Sequence, residues 1–418
     1  MNTVFDVVII GAGPVGIAAA AHAKNNGLVP LVLEKGATVG NAIKEWGHVR
    51  LFTKWSYLID KEVEKILNHQ GWKMPNLDET PTGKELVDQY LAPAANAVEL
   101  SKYIRYNAEV IAIAKEGHSK HTTQDRNEKN FVIHYRDAEQ DVHIIHSKAV
   151  IDASGTWSSP NPIGRDGLPV PGEAKNSDAI AYGIPDVLGK ARDDYQGKTT
   201  LLIGGGHSAI NVGLNLIELQ NSAPDTKIYW GLRGENLDKL LGSGINDKVP
   251  ARLKLGRAAQ STIDSGKLTL LSDLNVKQIS REAKGLKVSL TSNGCGSHIY
   301  VDKIIVATGF KPDLHMLREI RLNLDEVVEA PRGIASMVDP NAHNCGSVPG
   351  HGAKELVHID TNFYIVGMKS YGRAPSFLML HGYEQVRSIT AKLAGDEMSA
   401  NEIRLTFPDS VTNKQSCC

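Results

Sequence analysis

Gly11, Gly13 and Gly16, followed after one more apolar run by Glu34, have the types and spacing to hold a dinucleotide. Gly11 permits a tight turn, Gly13 lets backbone approach a pyrophosphate, and Gly16 lets a helix lie close on a sheet. The free N–H groups and positive end of that helix, which opens on Pro14, favour a diphosphate. Glu34 can accept hydrogen bonds from a ribose diol, and Lys35 follows it. A second turn, Gly204-Gly-Gly206-His-Ser208-Ala209, repeats the pattern with alanine in the third place, which the fingerprint permits. The strand after it ends at Arg233, where a site preferring NAD would hold an acid. An arginine there can pair with a ribose 2′-phosphate and so favours NADP, with Glu235 two residues on as the opposing charge.

These residues need strands and helices to hold them, and the flanking sequence supplies both. Val7–Ile10 is a run of apolar β-formers, small helix-compatible residues follow the turn to Asn26-Gly27, and Val29–Leu33 forms the next strand. Thr200–Ile203, an apolar-faced helix and Lys227–Leu232 repeat that order. The expected fold class is α/β, with two Rossmann-like dinucleotide-binding domains.

At 418 residues the chain is too long for one ordinary core, and two domains are expected. Lys plus Arg total 46 against 47 Asp plus Glu, so no global field draws nucleic acid or a membrane surface. Val7–Ala23 is the one segment that could pass for a membrane or signal helix. Asp6 precedes it and three glycines interrupt its start, which argues against that reading and for a cytoplasmic protein. The four cysteines, Cys295, Cys345, Cys417 and Cys418, form no CxxC or CxxxxC motif and no disulfide framework.

Between the turns, Gly36 and Gly40 suit a loop wrapping a dinucleotide, and Trp46, Phe52, Trp55 and Tyr57 bring aromatic surface beside it. A flat heteroaromatic ring needs such walls, with His48 and Arg50 as polar contacts; ordinary core packing is the competing reading. A helix is expected over Lys84 to Ala97, then short strands at Ala108–Ala114, Phe131–Tyr135 and Val142–Ile145. His118, His121, His134, His143 and His146 alternate along strands or lie in a polar loop without a closed ligand set, so no metal site is expected. A separate buried strand from Ala149 enters Asp152-Ala153-Ser154-Gly155, and a proline-rich connector through Pro185 reads as a crossing between domains. Short strands recur from Lys267 to Tyr300, and a helix is expected from Ser376 to Leu393, ended by Gly395.

Two dinucleotide turns with Ala153-Ser154-Gly155 between them, and Ala307-Thr308-Gly309 with Asp313 after the second, resemble the two-dinucleotide-binding-domain flavoproteins. The resemblance implies FAD at the first turn and NADPH at the second. It implies an FAD domain split into residues 1–165 and 301–398, an inserted NADPH domain at 166–300, and a polar tail at 399–418. It adds Val110, Ala153, Gly155, Gly309, Asp313 and Ser376 to the FAD contacts. The family usually carries an Asp after the glycine near residue 367, where this chain reads Gly367-Met-Lys369. The helix from Ser376 is expected to aim its positive end at the flavin and stabilise the reduced, anionic ring.

Disulfide-reductase branches of that family pass electrons to a cysteine pair which this chain lacks. The segment from Thr156 to Pro162 and the Trp46–Tyr57 stretch resemble flavin-containing monooxygenases, although the FxGxxxHxxx(Y/W) signature of those enzymes is missing. There a flavin hydroperoxide oxidises a soft nucleophile. The vicinal Cys417-Cys418 resembles the tail of mercuric reductases and suits capture of thiophilic ions. Cys345, flanked by His343 and His351, is a second thiol of interest. Together these features resemble flavoproteins of arsenic detoxification. The expected function is an NADPH-dependent FAD monooxygenase using molecular oxygen on a small substrate, sulfur or trivalent arsenic. Trp46, His48, Cys345 and His351 are its substrate-side candidates. A reductase of a low-molecular-weight disulfide or quinone, and a non-catalytic FAD-binding redox or metalloid sensor, are the alternatives.

Overall fold

The computed structural model describes residues 4–234, 261, 266–340, 348–374 and 377–405. The chain divides into two compact units, Met1–Ser159 with Lys311–Cys418, and Pro160–Phe310. The first unit is therefore discontinuous and the second is inserted within it.

In the first unit, β1 (Val4–Ile10) runs parallel to β2 (Pro30–Leu33), and β3 (Ile104–Arg105) extends that edge. β4 (Glu109–Lys115) and β5 (Phe131–Arg136) form an antiparallel pair that continues onto β6 (Val142–Asp152). The sequence suggested two strands where β6 is one of 11 residues. No glycine or proline separates Ile145 from Ala149, so nothing interrupts the extended backbone. The first half of β6 carries the meander and the second half lies parallel to β1. β1 is buried on both faces, with Val7 and Ile9 in one core and Val8 and Ile10 in another, as a central parallel strand requires.

The helix expected over Lys84–Ala97 forms in three pieces, Gly83–Leu86, a π-helical turn at Val87–Leu91, and Ala92–Asn96. Pro93 has no N–H to offer the Gln89 carbonyl, and Trp72 Nε1 donates to that oxygen instead, at 2.7 Å.

In the second unit, β7 (Ile180–Tyr182), β8 (Thr199–Ile203), β9 (Lys227–Gly231) and β10 (Thr269–Leu271) belong to one parallel sheet. β11 (Asn275–Glu282), β12 (Gly285–Ser292) and β13 (Cys295–Val301) form a separate antiparallel sheet. β14 (Lys303–Val306) inserts between β8 and β7, giving the order β10-β9-β8-β14-β7. That pairing keeps residues 301–310 in the second unit, which runs from Pro160 to Phe310 where the resemblance implied 166–300.

Back in the first unit, β15 (Phe363–Ile365) lies parallel to the end of β6. The helix Met379–Leu393 starts three residues later than Ser376 and crosses the helix Pro14–Asn25 closely. A Cβ on Gly382 would lie 2.5 Å from Val15 Cγ2, so only glycine permits that approach. Among the described residues no helix is long and apolar enough to cross a membrane.

Candidate functional site

The first turn has the form its glycines require. Gly11 adopts φ +97°, and a Cβ there would lie 2.8 Å from the Ala153 carbonyl oxygen, just past the end of β6. On Gly16 a Cβ would fall 1.9 Å from the Gly11 oxygen, so helix and turn touch without side chains. On Gly13 it would meet nothing within 4 Å. The helix starts at Pro14, with Gly13 as an N-cap that offers no side-chain acceptor. Its leading N–H groups therefore face the open volume beside Gly13, an arrangement that fits a pyrophosphate.

Glu34 is 7% exposed. Its Oε2 accepts from the Ala12 N–H at 2.7 Å and its Oε1 from the Gly36 N–H at 2.8 Å. The carboxylate is thereby oriented by backbone and keeps lone pairs for ribose hydroxyls. The Gly40 N–H donates to the Ala12 carbonyl at 3.0 Å, which brings the 36–40 loop back to the turn. Lys35 Nζ donates to Ser158 Oγ. Gly155 has φ +67° with open space at its Cβ position, and Val110 is half-buried on β4.

Asp152, the residue before Ala153, is fully buried. Its Oδ1 accepts from the Ser154 N–H at 3.1 Å and from Ser154 Oγ at 2.6 Å. Its Oδ2 accepts from Lys369 Nζ at 2.7 Å, and the same amine donates to Ser154 Oγ at 3.1 Å. Sequence reasoning noted Lys369 only as a departure from the family's pattern and missed this partnership. Met368, where the family carries its Asp, is half-buried.

His351 was a substrate-side candidate, and its surroundings withdraw it. The Gly367 N–H donates to Gln385 Oε1 at 2.8 Å, which turns the Gln385 amide nitrogen toward Ser370 Oγ (2.9 Å) and His351 Nε2 (2.8 Å). His351 Nε2 is then the acceptor, and Nδ1–H donates to the Pro349 carbonyl at 2.9 Å. Burial lowers its pKa from the usual imidazole value, so the ring is neutral with both nitrogens engaged. It stacks on His381, with centroids 5.6 Å apart.

Trp46 packs on Gly83, where a Cβ would lie 2.8 Å from the indole ring. Its ring centroid is 6.4 Å from that of Trp157, whose Nε1 donates to Glu45 Oε2 at 2.6 Å. Trp157 thus joins Trp46 in an aromatic wall, and its membership of the segment after Ala153-Ser154-Gly155 was the available signal. His48 is half-buried, whereas Trp55, 3% exposed, is ordinary core.

The second unit repeats the first turn's geometry. Gly204 adopts φ +148°, and its Cβ would lie 2.3 Å from the Ala307 carbonyl oxygen; on Gly206 a Cβ would meet nothing within 4 Å. The helix His207–Ser222, which carries Ser208 and Ala209 in its first turn, starts from Gly206 with no side-chain cap. Trp230 on β9 braces the turn: Nε1 donates to the Gly204 oxygen at 2.9 Å, and its ring covers Gly213. Arg233 is half-buried, its Nη2 donating to the Pro162 carbonyl at 3.0 Å, with Gly164 O at 3.3 Å. Its Nε is buried without a hydrogen-bond partner among the described residues. Burial, followed by the neighbouring Arg165 charge, lowers its pKa from the usual arginine value.

Gly309 lies in this second unit, just past β14, with φ +85°. Asp313 belongs to the first unit but is exposed, with Oδ1 accepting from the His315 N–H at 2.9 Å. Glu235, Cys345, Ser376, Cys417 and Cys418 lie outside the described residues. Among the described residues no group of three or more His, Cys, Asp or Glu could hold a metal ion.

Two glycine turns, each at the end of a strand with parallel neighbours and each with room for a pyrophosphate, define a two-dinucleotide α/β protein. The chain belongs to the pyridine nucleotide-disulphide oxidoreductase family, whose pattern matches residues 8–331. It is an oxidoreductase that uses FAD and NADPH. Ferredoxin–NADP reductase 1 of Bacillus licheniformis is 24% identical over 372 residues, 87% of this chain and 85% of that protein. A thiamine thiazole synthase of Methanococcus maripaludis is 37% identical over 73 residues, 18% of this chain; the match spans only 26% of that relative's length. Among solved structures, bacillithiol disulfide reductase from Bacillus cereus superposes with a TM-score of 0.70 at 20% identity, over 94% of this chain and 100% of that one. The FAD-bound cadaverine monooxygenase from Erwinia amylovora gives 0.64 at 13% identity, over 100% of both chains. At these identities the likeness is one of fold.

Proposed function

We propose that the first turn holds FAD, the second holds NADPH, and the enzyme is a monooxygenase of a small, soft nucleophile, either sulfur or trivalent arsenic. One observation carries the reading: the sequence has two complete dinucleotide turns but no CxxC or CxxxxC pair to take electrons onward as a dithiol. Bound FAD supplies hydride acceptance and oxygen chemistry. The chain's own residues bind and orient. N–H groups after Gly13 hold the pyrophosphate, Glu34 holds the ribose, and Trp46 with Trp157 walls the flavin edge against water. His48 lies on the substrate side, and Arg233 pairs with the 2′-phosphate of NADPH. The tail thiols, Cys417 and Cys418, suit capture of a thiophilic substrate.

A second reading is a reductase that passes electrons from flavin directly to a low-molecular-weight disulfide or quinone; its support is the fold shared with bacillithiol disulfide reductase. Membership in an oxidoreductase family leaves a non-catalytic sensor without support. The two readings separate on their need for oxygen. NADPH turnover under ¹⁸O₂ with arsenite or a thioether is expected to put label into the product, and turnover is expected to stop under argon. NADPH oxidation by a disulfide or quinone under argon, with no labelled product in oxygen, would replace the monooxygenase with the reductase.

A further inference from the structure

Lys369 and Asp152 form an ion pair whose side chains are 1% and 0% exposed, at 2.7 Å. Removing both charges from water is costly, and such a pair is commonly no more stable than apolar residues of the same volume. Its location suggests another use. Asp152 is in register with Ile10, the last residue before the first turn, and with Ile365 on β15. The residue after it, Ala153, presents the carbonyl oxygen that the Gly11 turn abuts. Lys369 follows Gly367, whose Cβ position lies 3.4 Å from Val15 in the first helix. The pair therefore underlies the place where the first turn, the segment after β6 and the segment after β15 meet, and Ser154 Oγ bridges it.

We propose that Lys369 is a positioning residue for the flavin cofactor, acting through Asp152 and Ser154, and that the balance of the two buried charges sets the electrostatic potential beneath the dinucleotide. The inference rests on the first turn holding FAD. Charges in a dry, low-dielectric setting act over longer distances than exposed ones. Lys369 offsets Asp152 beneath a ligand that carries a diphosphate and gains negative charge on reduction. The two single substitutions should therefore act with opposite sign. Asp152→Asn keeps an acceptor for Lys369 and leaves its positive charge unbalanced, which favours the reduced flavin and raises the midpoint potential. Lys369→Met leaves the carboxylate unbalanced, lowers the potential and weakens FAD binding about tenfold or more. A purely structural pair would behave otherwise, with both substitutions lowering stability and moving the potential in the same direction.

The experiment measures FAD affinity by titrating apoprotein, and the flavin midpoint potential by equilibration with a reference dye, in the full chain. Gly13→Val is carried alongside as a variant that fills the open volume of the first turn. Opposite shifts of potential in Asp152→Asn and Lys369→Met support the proposal. Shifts of the same sign, or an unchanged potential in Asp152→Asn, overturn it. If Lys369→Met does not fold, the sign of the Asp152→Asn shift decides alone. FAD retained at full stoichiometry in Gly13→Val would remove FAD from the first turn, and the inference would fall with that assignment rather than on its own evidence.

Discussion

Arg233 lies two residues past the end of β9, and three main-chain carbonyls, of Pro162, Ile163 and Gly164, gather around its Nη2. That contact fixes one corner of the guanidinium, while Nε remains buried and unpartnered among the described residues. An arginine held this way ties down its own loop, and under the proposed function it also pairs with the 2′-phosphate of NADPH. Replacing it with alanine is expected to raise KM for NADPH at least about tenfold, with a much smaller change for NADH. Arg233→Lys keeps charge without the planar fork and should recover only part of the preference. Initial-rate kinetics with both coenzymes check this, and an equal rise in both KM values would make Arg233 a loop tie instead. His351 illustrates the opposite case, a side chain of reactive type whose neighbours use both of its nitrogens.

At the scale of elements, each dinucleotide turn divides its glycines into two kinds. Gly11 and Gly204 have positive φ and would drive a Cβ to 2.8 Å and 2.3 Å from the carbonyl oxygens of Ala153 and Ala307. Side chains there strain the fold itself. Gly13 and Gly206 face open space, and their φ values of −79° and −98° accept any L-residue. Gly13→Val is therefore expected to give a folded protein, with apoprotein Tm close to the parent, that does not retain FAD. Gly206→Val is expected to keep FAD and lose its reduction by NADPH. Flavin absorbance and anaerobic reduction kinetics check both, and the reverse pattern would exchange the two cofactors between the turns. Such a difference between glycines was legible in the GxGxxG spacing; the bracing of the second turn by Trp230 was not, because it depends on a neighbouring strand.

For the whole molecule, the larger unit carries buried neutral imidazoles that set an acid limit on its stability. Burial lowers the pKa values of His358 and His381 from the usual imidazole value to about 4. His358 Nδ1 accepts from the Asn323 N–H, and His381 Nε2 donates to the Val348 carbonyl. In the unfolded chain these rings take up protons near pH 6.5, before they can in the folded one. Their contribution is thus complete above pH 6.5 and is lost as pH falls through 4, at roughly 3 kcal/mol for each ring. Urea midpoints should fall between pH 7 and pH 4, and His358→Phe should make that fall shallower. An unchanged slope in the variant would show that His358 is already charged in the native protein.

The two turns and their flanking strands and helices were legible in the sequence, because these depend on local φ, side-chain volume and hydrophobic period; the inserted order of the units came only from the resemblance to the flavoprotein family. The sequence by itself also excluded a relay through paired cysteines, which needs only the spacing of four residues. Tertiary structure decided which polar side chains are available. Lys369 found Asp152 across 217 positions, His351 was taken up by Gln385, and Trp157 joined Trp46. Residues 301–310 stayed with the second unit because β14 pairs with β8 and β7. Long-range pairing of this kind is set by burial and hydrogen-bond satisfaction among residues distant in sequence, which no local pattern records.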